Sequence, residues 1–508
     1  MIKKGIIVTL CLFIIAANSR AQPYSPLNDD YNYLVEKSVI LNTKFHSAIK
    51  PYNLSDIKLD TSSVEKLINF KFFNEKKSIS VLPVFESIYS HSIKNDNSLS
   101  VTVGASFKAK YGKSLYMQLN FTESINKFPD YISEKIDSNL IVPHYGKYDS
   151  KFGKFYNNLL LTGFLQFSPE PYLSLAAGID RNFIGDGYRS MLLSDNSAPY
   201  PFARLIVTAW RLKYVFLYTF LKDIDSYSGN SNFYEKHAVI HYLSYNVSNR
   251  LNLGFFEAII WRGNDSITNR GIEPNYLNPM IFFRPVEFSL HSPDNANLGG
   301  SLKIRLWKRT FIYSQVFLDD LITKQFFNNK GWWGDKYGLQ AGFKSFSFFN
   351  CNNLYLQAEY NYARPYTYSH VTSLENYGND YQPLAHPLGA NFNEFVTIIR
   401  YTKNNWLFTL KSVSALYGAD TSMLSYGSNI YKPYTLRISD YNITTGQGLK
   451  TRYYNNDLKF SYFILPKWNM YATIGYNLIY RTNSSFSQFN NYFFIGFSTL
   501  LYNNASDY

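Results

Sequence analysis

From about residue 79 to the end of the chain, the sequence repeats short runs in which apolar and polar side chains alternate. Residues 98–108 read SLSVTVGASFK, and residues 115–121 read LYMQLNF. A period of two puts successive side chains on opposite faces of a β-strand, so each run has one apolar face and one polar face. Many runs have about the 9–11 residues that a tilted strand needs to cross a bilayer. The other runs of this kind are 159–167, 172–179, 205–210, 214–221, 237–245, 251–258, 281–290, 298–307, 311–318, 337–343, 354–362, 395–401, 406–413, 458–464, 471–480 and 492–502.

The composition fits strands that face lipid on one side and water on the other. Aromatic residues make up 18% of the chain and charged residues only 17%, whereas a soluble domain averages about 25% charged residues. A mean hydropathy of -0.23 excludes a helical membrane protein with many spans, but not a barrel. Because only a closed barrel pairs every strand within lipid, we predict an all-β transmembrane outer-membrane β-barrel of roughly 18 antiparallel strands. A soluble sandwich or propeller is the alternative, and the aromatic excess, the low charge and the lack of fixed repeats disfavour it.

The first 21 residues have the features of a secretory signal peptide. Lys3 and Lys4 form a basic start, residues 6–17 are mainly apolar, and Ser19-Arg20-Ala21 is a small-x-small cleavage site. No later run approaches the 18 apolar residues of a spanning helix. We therefore expect an exported protein without a helical anchor, located in the cell outer membrane.

The next segment, residues 22–77, differs from the alternating part of the chain. Residues 29–42 read DDYNYLVEKSVILN and predict a helix that starts at an acidic cap. Ser62-Ser63-Val64-Glu65 fits a capping box ahead of a second apolar face. These patterns predict a small helical periplasmic region over 22–77, followed by the barrel over 78–508.

One long connection interrupts the strands, over residues 363–395. It contains three prolines and many aromatic residues, and it has no clean period of 2 or 3.6. A connection of this length inside a compact domain is usually functional or disordered, and its aromatic content argues against disorder. We predict a long ordered loop that folds into the lumen and makes the protein a poor pore. Its two histidines, His370 and His386, are candidates for a metal site, although hydrogen-bonded histidines are the simpler interpretation.

Catalytic motifs are missing from the sequence. There is no GxSxG, HExxH or Walker loop. Gly185-Asp186-Gly187 fits a tight turn better than a calcium loop, which needs more carboxylates. Asp319 and Asp320 end one strand, but neighbouring residues on a strand point to opposite faces, so an ion pair with Arg364 or Lys336 is the preferred interpretation. We predict a protein that is not an enzyme, with no catalytic residues, cofactor or metal.

The net charge of the chain indicates the kind of partner it binds, and the number of cysteines limits the disulfides it can form. The formal net charge is +13, and the leader carries three basic residues and no acid, so the mature chain has 13 − 3 = +10. A basic balance suits anionic partners such as lipopolysaccharide or acidic polysaccharide. Nucleic acid is disfavoured because the chain has no basic run and no nucleic-acid motif.

Of the two cysteines, Cys11 lies in the leader, which leaves Cys351 alone and predicts no intrachain disulfide.

Residues in and near the long loop offer the groups that bind sugars. Aromatic rings stack on sugar faces, and arginine holds hydroxyl and carboxylate groups. In a chain this rich in aromatic residues, girdle or packing roles are the alternative for each ring. The predicted ligand-binding residues are Trp332, Trp333, Arg364, Tyr366, Tyr368 and Tyr381.

Several unusual stretches, in a constant order along the chain, are similar to one protein family. The sequence resembles the capsule-assembly Wzi-type outer-membrane proteins, in the Bacteroidetes branch that includes the gliding-motility protein RemB. The matching stretches are FHSAIKPY at 45–52, NFIGDGYRSMLLSDNSAPYPFARL at 182–205, NPMIFFRPVEFSLHSPDNANLG at 278–299, YSQVFLDD at 313–320, WWGDKYGLQAGFK at 332–344, ARPYTYSH at 363–370 and LAHPLGANFNEF at 384–395.

The resemblance implies a barrel of about 18 strands with N-terminal helices on the periplasmic side. It also implies a role in binding, anchoring or assembling surface polysaccharide, and it carries over no catalytic residues. The RemB-like branch is instead tied to gliding motility and to the surface apparatus around type IX secretion, so motility or secretion proteins are alternative partners. A porin-like channel is a further alternative. The chain departs from the family pattern at its C-terminus, 503–508, and in a shortened loop around Gly446-Gln447-Gly448.

Overall fold

The computed structural model describes most of the chain after the leader. The predicted signal peptide, the capping box at 62–65, the predicted strand at 281–290 and the C-terminal residues 503–508 lie outside the described residues. The described ranges are 24–54, 77–94, 96–112, 114–224, 233–263, 270–278, 294–320, 323–328, 330–421, 424–465 and 469–499.

The wall is a closed barrel of eighteen antiparallel strands, each paired with its neighbours in the chain. The first strand closes the barrel against the last, with Glu86 opposite Ser498 and Ser92 opposite Tyr492. The predicted fold class is therefore confirmed. The strands are β1 Lys77–Ser92, β2 Ser98–Tyr111, β3 Leu115–Lys127, β4 Phe155–Glu170, β5 Leu173–Asp180, β6 Tyr200–Ala209, β7 Leu212–Ile224, β8 Phe233–Asn246, β9 Leu251–Arg262, β10 Asn295–Trp307, β11 Thr310–Asp320, β12 Lys336–Ser345, β13 Leu354–Ala363, β14 Phe392–Lys403, β15 Trp406–Ala419, β16 Leu449–Leu465, β17 Met470–Thr482 and β18 Ser487–Thr499.

The two faces of the wall have opposite polarity. Outward-facing Phe121, Leu161 and Ile474 expose 50%, 61% and 56% of their surface. Inward-facing Thr102 and Ser124 are fully buried and hydrogen bond to each other at 2.9 Å. This reverses the polarity of a soluble barrel, and it is what a bilayer around the wall requires. The alternating runs therefore form membrane-spanning strands.

The connections divide the barrel into two ends. Short turns such as 210–211 and 404–405 lie at one end, which we call the turn end, and connections such as 364–391 and 420–448 lie at the other, the loop end. In outer-membrane barrels the short turns face the periplasm and the long loops face outward. Three tryptophans mark the turn end as an interfacial girdle. They are Trp210, Trp307 and Trp406, which are 78%, 68% and 56% exposed.

Within the part of the chain that the structure describes, three α-helices accompany the strands: α1 Asp29–Val39, α2 Asp130–Asn139 and α3 Thr323–Asn328. The prediction placed an acidic cap at the start of α1, but the cap is Asn28, whose Oδ1 accepts the N–H of Tyr31 at 3.0 Å. An asparagine cap binds an otherwise unpaired N–H of the first turn as well as an aspartate does. Among the described helices, none is long and apolar enough to cross a membrane.

The described part of the N-terminal segment, residues 24–54, lies inside the barrel and blocks its turn end. The Arg400 guanidinium of β14 binds Asp29 and Asp30, and Lys344 Nζ of β12 lies 3.0 Å from Glu36. These partners sit on inward faces of different strands, so α1 is surrounded by the wall. We call 24–54 the turn-end plug.

The ion pairs of α1 keep the Glu36 carboxylate charged although it is buried. Burial by itself would raise the pKa of Glu36, but Lys344 and Lys50 on either side lower it to about 2. Tyr52 also donates its hydroxyl to this carboxylate at 2.7 Å. Glu36 is therefore ionised at neutral pH and holds two lysines against α1.

The long connections at the loop end fill the other half of the lumen. The loop 364–391 packs on the loop 181–199, where the Tyr368 hydroxyl donates to the Met191 carbonyl at 2.9 Å. The loop 181–199 in turn meets the turn-end plug in a two-residue antiparallel pairing of Ile49 with Ile184. The loop 364–391 is thus ordered and folded into the lumen.

Lowering the pH is expected to weaken docking of the turn-end plug through His46. This imidazole accepts from Asn246 Nδ2 at 3.1 Å and bonds Ser244 Oγ at 2.8 Å, as a neutral ring does. Burial, with Lys213 and Lys303 nearby, lowers the pKa of His46 from 6.5 to about 3. An undocked His46 gains a proton below pH 6.5 while the docked ring stays neutral, so docking weakens by at most about tenfold per pH unit.

Amide hydrogen exchange of residues 24–54, corrected for intrinsic rates, at pH 7, 6 and 5 measures this effect. His46→Gln keeps the size of the side chain and is expected to flatten the profile in this window. If protection of residues 24–54 falls with pH as steeply in His46→Gln as in the unaltered protein, the pH dependence belongs to another group.

Candidate functional site

The start of the long loop is held by a buried ion pair. Lys336 Nζ of β12 lies 2.8 Å from Asp319 and 3.1 Å from Asp320, the two residues that end β11. The same ammonium donates to the Ser369 carbonyl at 3.2 Å, and Asp319 accepts the Tyr368 N–H at 2.7 Å. The preferred sequence interpretation of this pair of aspartates, an ion pair, is confirmed with Lys336 as the partner.

A second buried lysine holds the middle of the loop. Lys236 Nζ of β8 lies 3.4 Å from Asp223 of β7, and neither side chain is exposed. It also donates to the Ser373 carbonyl at 3.3 Å and to the Asn376 carbonyl and side chain at 3.0 and 2.6 Å. On the other side, Asp223 accepts the Tyr381 N–H at 3.0 Å. The loop is therefore tied to the wall through one ammonium and one carboxylate.

Both loop histidines hydrogen bond to carboxylates. His370 Nδ1 lies 3.0 Å from Glu375, and buried His386 Nε2 lies 2.7 Å from Glu394, which also pairs with Arg189 at 3.2 Å. The histidines are in separate places and each has its own partner. Within the described ranges, no group of three or more His, Cys, Asp or Glu residues is arranged to hold a metal ion.

The segment Gly185-Asp186-Gly187 lies at the centre of the lumen. The Asp186 carboxylate accepts the Ser47 hydroxyl and lies 3.4 Å from Lys303 Nζ of β10. One side chain thus joins the loop 181–199, the turn-end plug and the wall. This geometry agrees with the interpretation of a turn with a packing role.

At the loop end, several aromatic rings form one cluster. Trp333 lies between the Tyr434 ring, at a centroid distance of 4.7 Å, and the Arg437 guanidinium, 4.4 Å from the centre of the indole. Trp332 adjoins Trp333 at 5.6 Å. Trp332, Trp333, Tyr434 and Arg437 are all partly exposed. They combine flat apolar faces with an arginine whose Nε lies 2.6 Å from the Asp440 carboxylate.

A second aromatic pair, of which Tyr431 is buried, lies at the same end of the barrel. Tyr381 of the long loop stacks on Tyr431, with centroids 4.4 Å apart and planes at 26°. Tyr431 and Tyr434 are three residues apart, so their backbones are separated by at most about 10 Å. We call Trp332, Trp333, Tyr434, Tyr431 and Tyr381 the aromatic strip.

Three of the predicted ligand-binding residues stabilise the loop. Tyr366 and Tyr368 are fully buried, and their hydroxyls donate to the carbonyls of Ser425 and Met191. Arg364 donates to the Trp332 carbonyl at 3.1 Å. In this conformation Tyr366 and Tyr368 have no surface to offer a ligand, because the loop folds over them. Trp332, Trp333 and Tyr381 remain as surface groups.

Sequence reasoning missed the contribution of the loop 420–448. It supplies Tyr431, Tyr434 and Arg437 from the stretch YKPYTLR. This loop is ordered by Asp420, whose carboxylate accepts backbone N–H groups of Tyr426 at 2.5 Å and Asn429 at 2.9 Å. The mixture of aromatic and basic residues was the available signal, but in an aromatic-rich chain it could not be told from packing.

A scan against protein-family models finds no match to the sequence, and a search of curated proteins finds none either. The search of solved structures matches the Escherichia coli outer-membrane protein Wzi, a carbohydrate-binding β-barrel involved in group 1 capsule assembly. That match has a TM-score of 0.55 and 13% sequence identity, and it covers 93% of this chain and 98% of that chain.

Weaker structural matches include Pseudomonas aeruginosa OccK5, with a TM-score of 0.40, 11% identity and coverage of 83% and 98%. Acinetobacter baumannii OccAB2 matches with a TM-score of 0.43, 11% identity and coverage of 83% and 97%. The likeness to Wzi concerns the fold. Together with the apolar outer face and the polar inner face, it makes this chain an outer-membrane β-barrel that is similar to Wzi in architecture.

Proposed function

We propose that the chain is a non-enzymatic outer-membrane barrel that binds surface polysaccharide, of the capsular type, at its loop end and anchors it to the cell. The observation that carries the proposal is the aromatic strip. The Wzi-like fold supports it, because Wzi is a carbohydrate-binding barrel. The narrower resemblance to the Bacteroidetes branch with RemB rests on the sequence stretches alone.

The mechanism is passive binding to a rigid surface. The exposed parts of the Trp332, Trp333 and Tyr381 rings contact the apolar faces of successive sugars. Arg437, whose Nε pairs with Asp440, donates its outer N–H groups to sugar hydroxyls. Because the loops beneath are held by buried lysines, the rings are fixed before binding and lose little side-chain entropy. The filled lumen is consistent with a scaffold that presents a surface rather than with a wide pore.

Replacing Trp333 and Tyr381 together by alanine is expected to weaken binding of the surface polysaccharide by roughly tenfold for each ring. This corresponds to a loss of about 1.4 kcal/mol of binding free energy per ring. The physical reason is the loss of two apolar faces that the sugar covers. Retention is measured by affinity electrophoresis of the purified protein in gels that contain the polysaccharide of the producing cells.

The matched control is Trp210→Ala with Trp307→Ala, which removes two exposed aromatic rings from the turn end. The control variant should retain the polysaccharide like the unaltered protein. Equal retention by both double variants would contradict the assignment of the strip. A gentle-detergent pull-down adds a second readout: stable protein partners without glycan would favour the motility or secretion alternative.

A further inference from the structure

A cavity of about 320 Å³ lies in the lumen between the turn-end plug and part of the wall. It follows β18 from Tyr492 to Ser498, which is roughly 20 Å at about 3.3 Å per residue. At the loop end it reaches Asn196 and Pro387, both partly exposed. The volume lies at the lower end of the range for small-molecule sites.

The lining combines tyrosine rings with hydroxyl and amide groups. Tyr188, Tyr471 and Tyr492 supply rings, while Ser100 and Asn477 supply short polar side chains. This mixture suits a ligand that has both apolar faces and many hydroxyl groups. It is unlike the mainly apolar lining of a lipid pocket.

Ion pairs between the cavity-lining charges weaken the field inside it. The Arg400 guanidinium binds Asp29 and Asp30, and Lys344 binds Glu36. Because each of these cations is matched by a carboxylate of α1, they leave no strong preference for an anion. The arrangement favours an uncharged ligand.

Two buried donors of cavity-lining residues have no hydrogen-bond partner among the described residues, Asn126 Nδ2 and Arg400 Nε. Asn126 is 3% exposed, and its Oδ1 accepts the Ser100 hydroxyl at 2.8 Å. Its Nδ2 has no hydrogen-bond partner among the described residues. A buried amide N–H without an acceptor is costly. Because Nδ2 is not accessible from the cavity, the Asn126 amide has to rotate to meet a ligand oxygen.

From these observations we infer that the cavity is a second saccharide site, which binds a neutral fragment of one to three sugar residues beside Asn126. The inference takes its ligand class from the proposed function, but the site is separate from the aromatic strip. A sugar hydroxyl accepts from Asn126 Nδ2, and the tyrosine rings contact the faces of the sugar.

The test uses ligand-observed NMR with the full chain in detergent micelles. The probe is the mixture of oligosaccharides of one to three residues that mild acid releases from the surface polysaccharide of the producing cells. Asn126→Leu keeps the size of the side chain but removes its hydrogen bonds, and it should reduce the saturation-transfer signal at least tenfold. The matched control is Asn120→Leu, because Asn120 lies on the same strand, also faces the lumen and does not line the cavity.

Both variants are checked for the folded barrel by heat-modifiable migration in gels. Loss of the signal in Asn126→Leu alone supports the site. An unchanged signal in Asn126→Leu, or no binding of any fragment to the unaltered protein, would overturn it and leave water as the occupant. Loss only in the Trp333→Ala, Tyr381→Ala variant would place all binding on the aromatic strip, so the two proposals fail separately.

Discussion

Replacing Lys236 by alanine is expected to release the middle of the long loop at a cost of about 3–5 kcal/mol in its local opening free energy. The substitution leaves the Asp223 carboxylate buried without its cation, and it removes the donor to the Ser373 and Asn376 carbonyls. Removing one partner of a buried pair costs far more than the net value of the pair, because the remaining charge has no water. Hydrogen exchange of residues 364–391 should then be faster by about two to three orders of magnitude.

The double variant Lys236→Met with Asp223→Asn separates the stranded charge from the lost hydrogen bonds. It removes both charges while keeping side chains of similar size, so it should recover much of the protection. The exposed pair of Lys154 and Asp130, with side chains 67% and 58% exposed, gives a matched negative control, since such pairs contribute about 0–1 kcal/mol. Protection of 364–391 that stays at the original level in Lys236→Ala would show that the pair of Lys236 and Asp223 does not hold this loop.

Replacing Arg400 by methionine is expected to undock the turn-end plug and to open to ions the cavity that runs from the plug along β18 to the loop end. Arg400 is 2% exposed and binds both Asp29 and Asp30, so its loss leaves carboxylates of α1 facing the wall without their main cation. At about 3–5 kcal/mol, the undocked fraction rises by roughly two to three orders of magnitude. Single-channel recordings in planar bilayers should show openings far more often than in the unaltered protein.

Two further variants serve as the open reference and the negative control for the channel recordings. Deleting residues 24–54 gives the conductance of a barrel without the turn-end plug, and Lys154→Ala tests whether loss of any ion pair has the same effect. Opening frequencies that are equal in Arg400→Met and in the unaltered protein would show that these ion pairs do not hold the plug. A high conductance of the unaltered protein would instead favour the porin-like alternative.

The wall could be derived from the sequence because its physical requirement is local. In lipid every backbone group must be paired, and side chains must alternate in polarity, so each strand carries its signal in its own residues. The run SLSVTVGASFK predicted the strand that became β2, and Leu119 and Phe121 of LYMQLNF are on the exposed face of β3. Strand ends were less well defined, as in β16, which begins at Leu449 rather than at 458.

The interior of the lumen was less accessible to sequence reasoning. The pairing of Asp319 with Lys336 could be anticipated, because the two residues end one strand and begin the next along the chain. The acidic start of α1 indicated a helix, but not that Arg400, 371 residues away from Asp29 in the chain, binds it. Contacts between residues so far apart in the chain leave no periodic pattern in the sequence.

The aromatic strip, like the interior of the lumen, could be predicted only in part from the sequence. The composition and the order of the residues by themselves indicated an exported, lipid-facing barrel with a long ordered loop. The reason is that alternation and aromatic content are local properties, which can be read from the sequence without knowing the fold. Which rings reach the surface was decided only by the tertiary structure: the loop 364–391 buries Tyr366 and Tyr368, while the loop 420–448 brings Tyr434 against Trp333 and Tyr431 against Tyr381. The physical reason is that burial depends on what packs over a side chain, and here the covering segments come from distant parts of the chain.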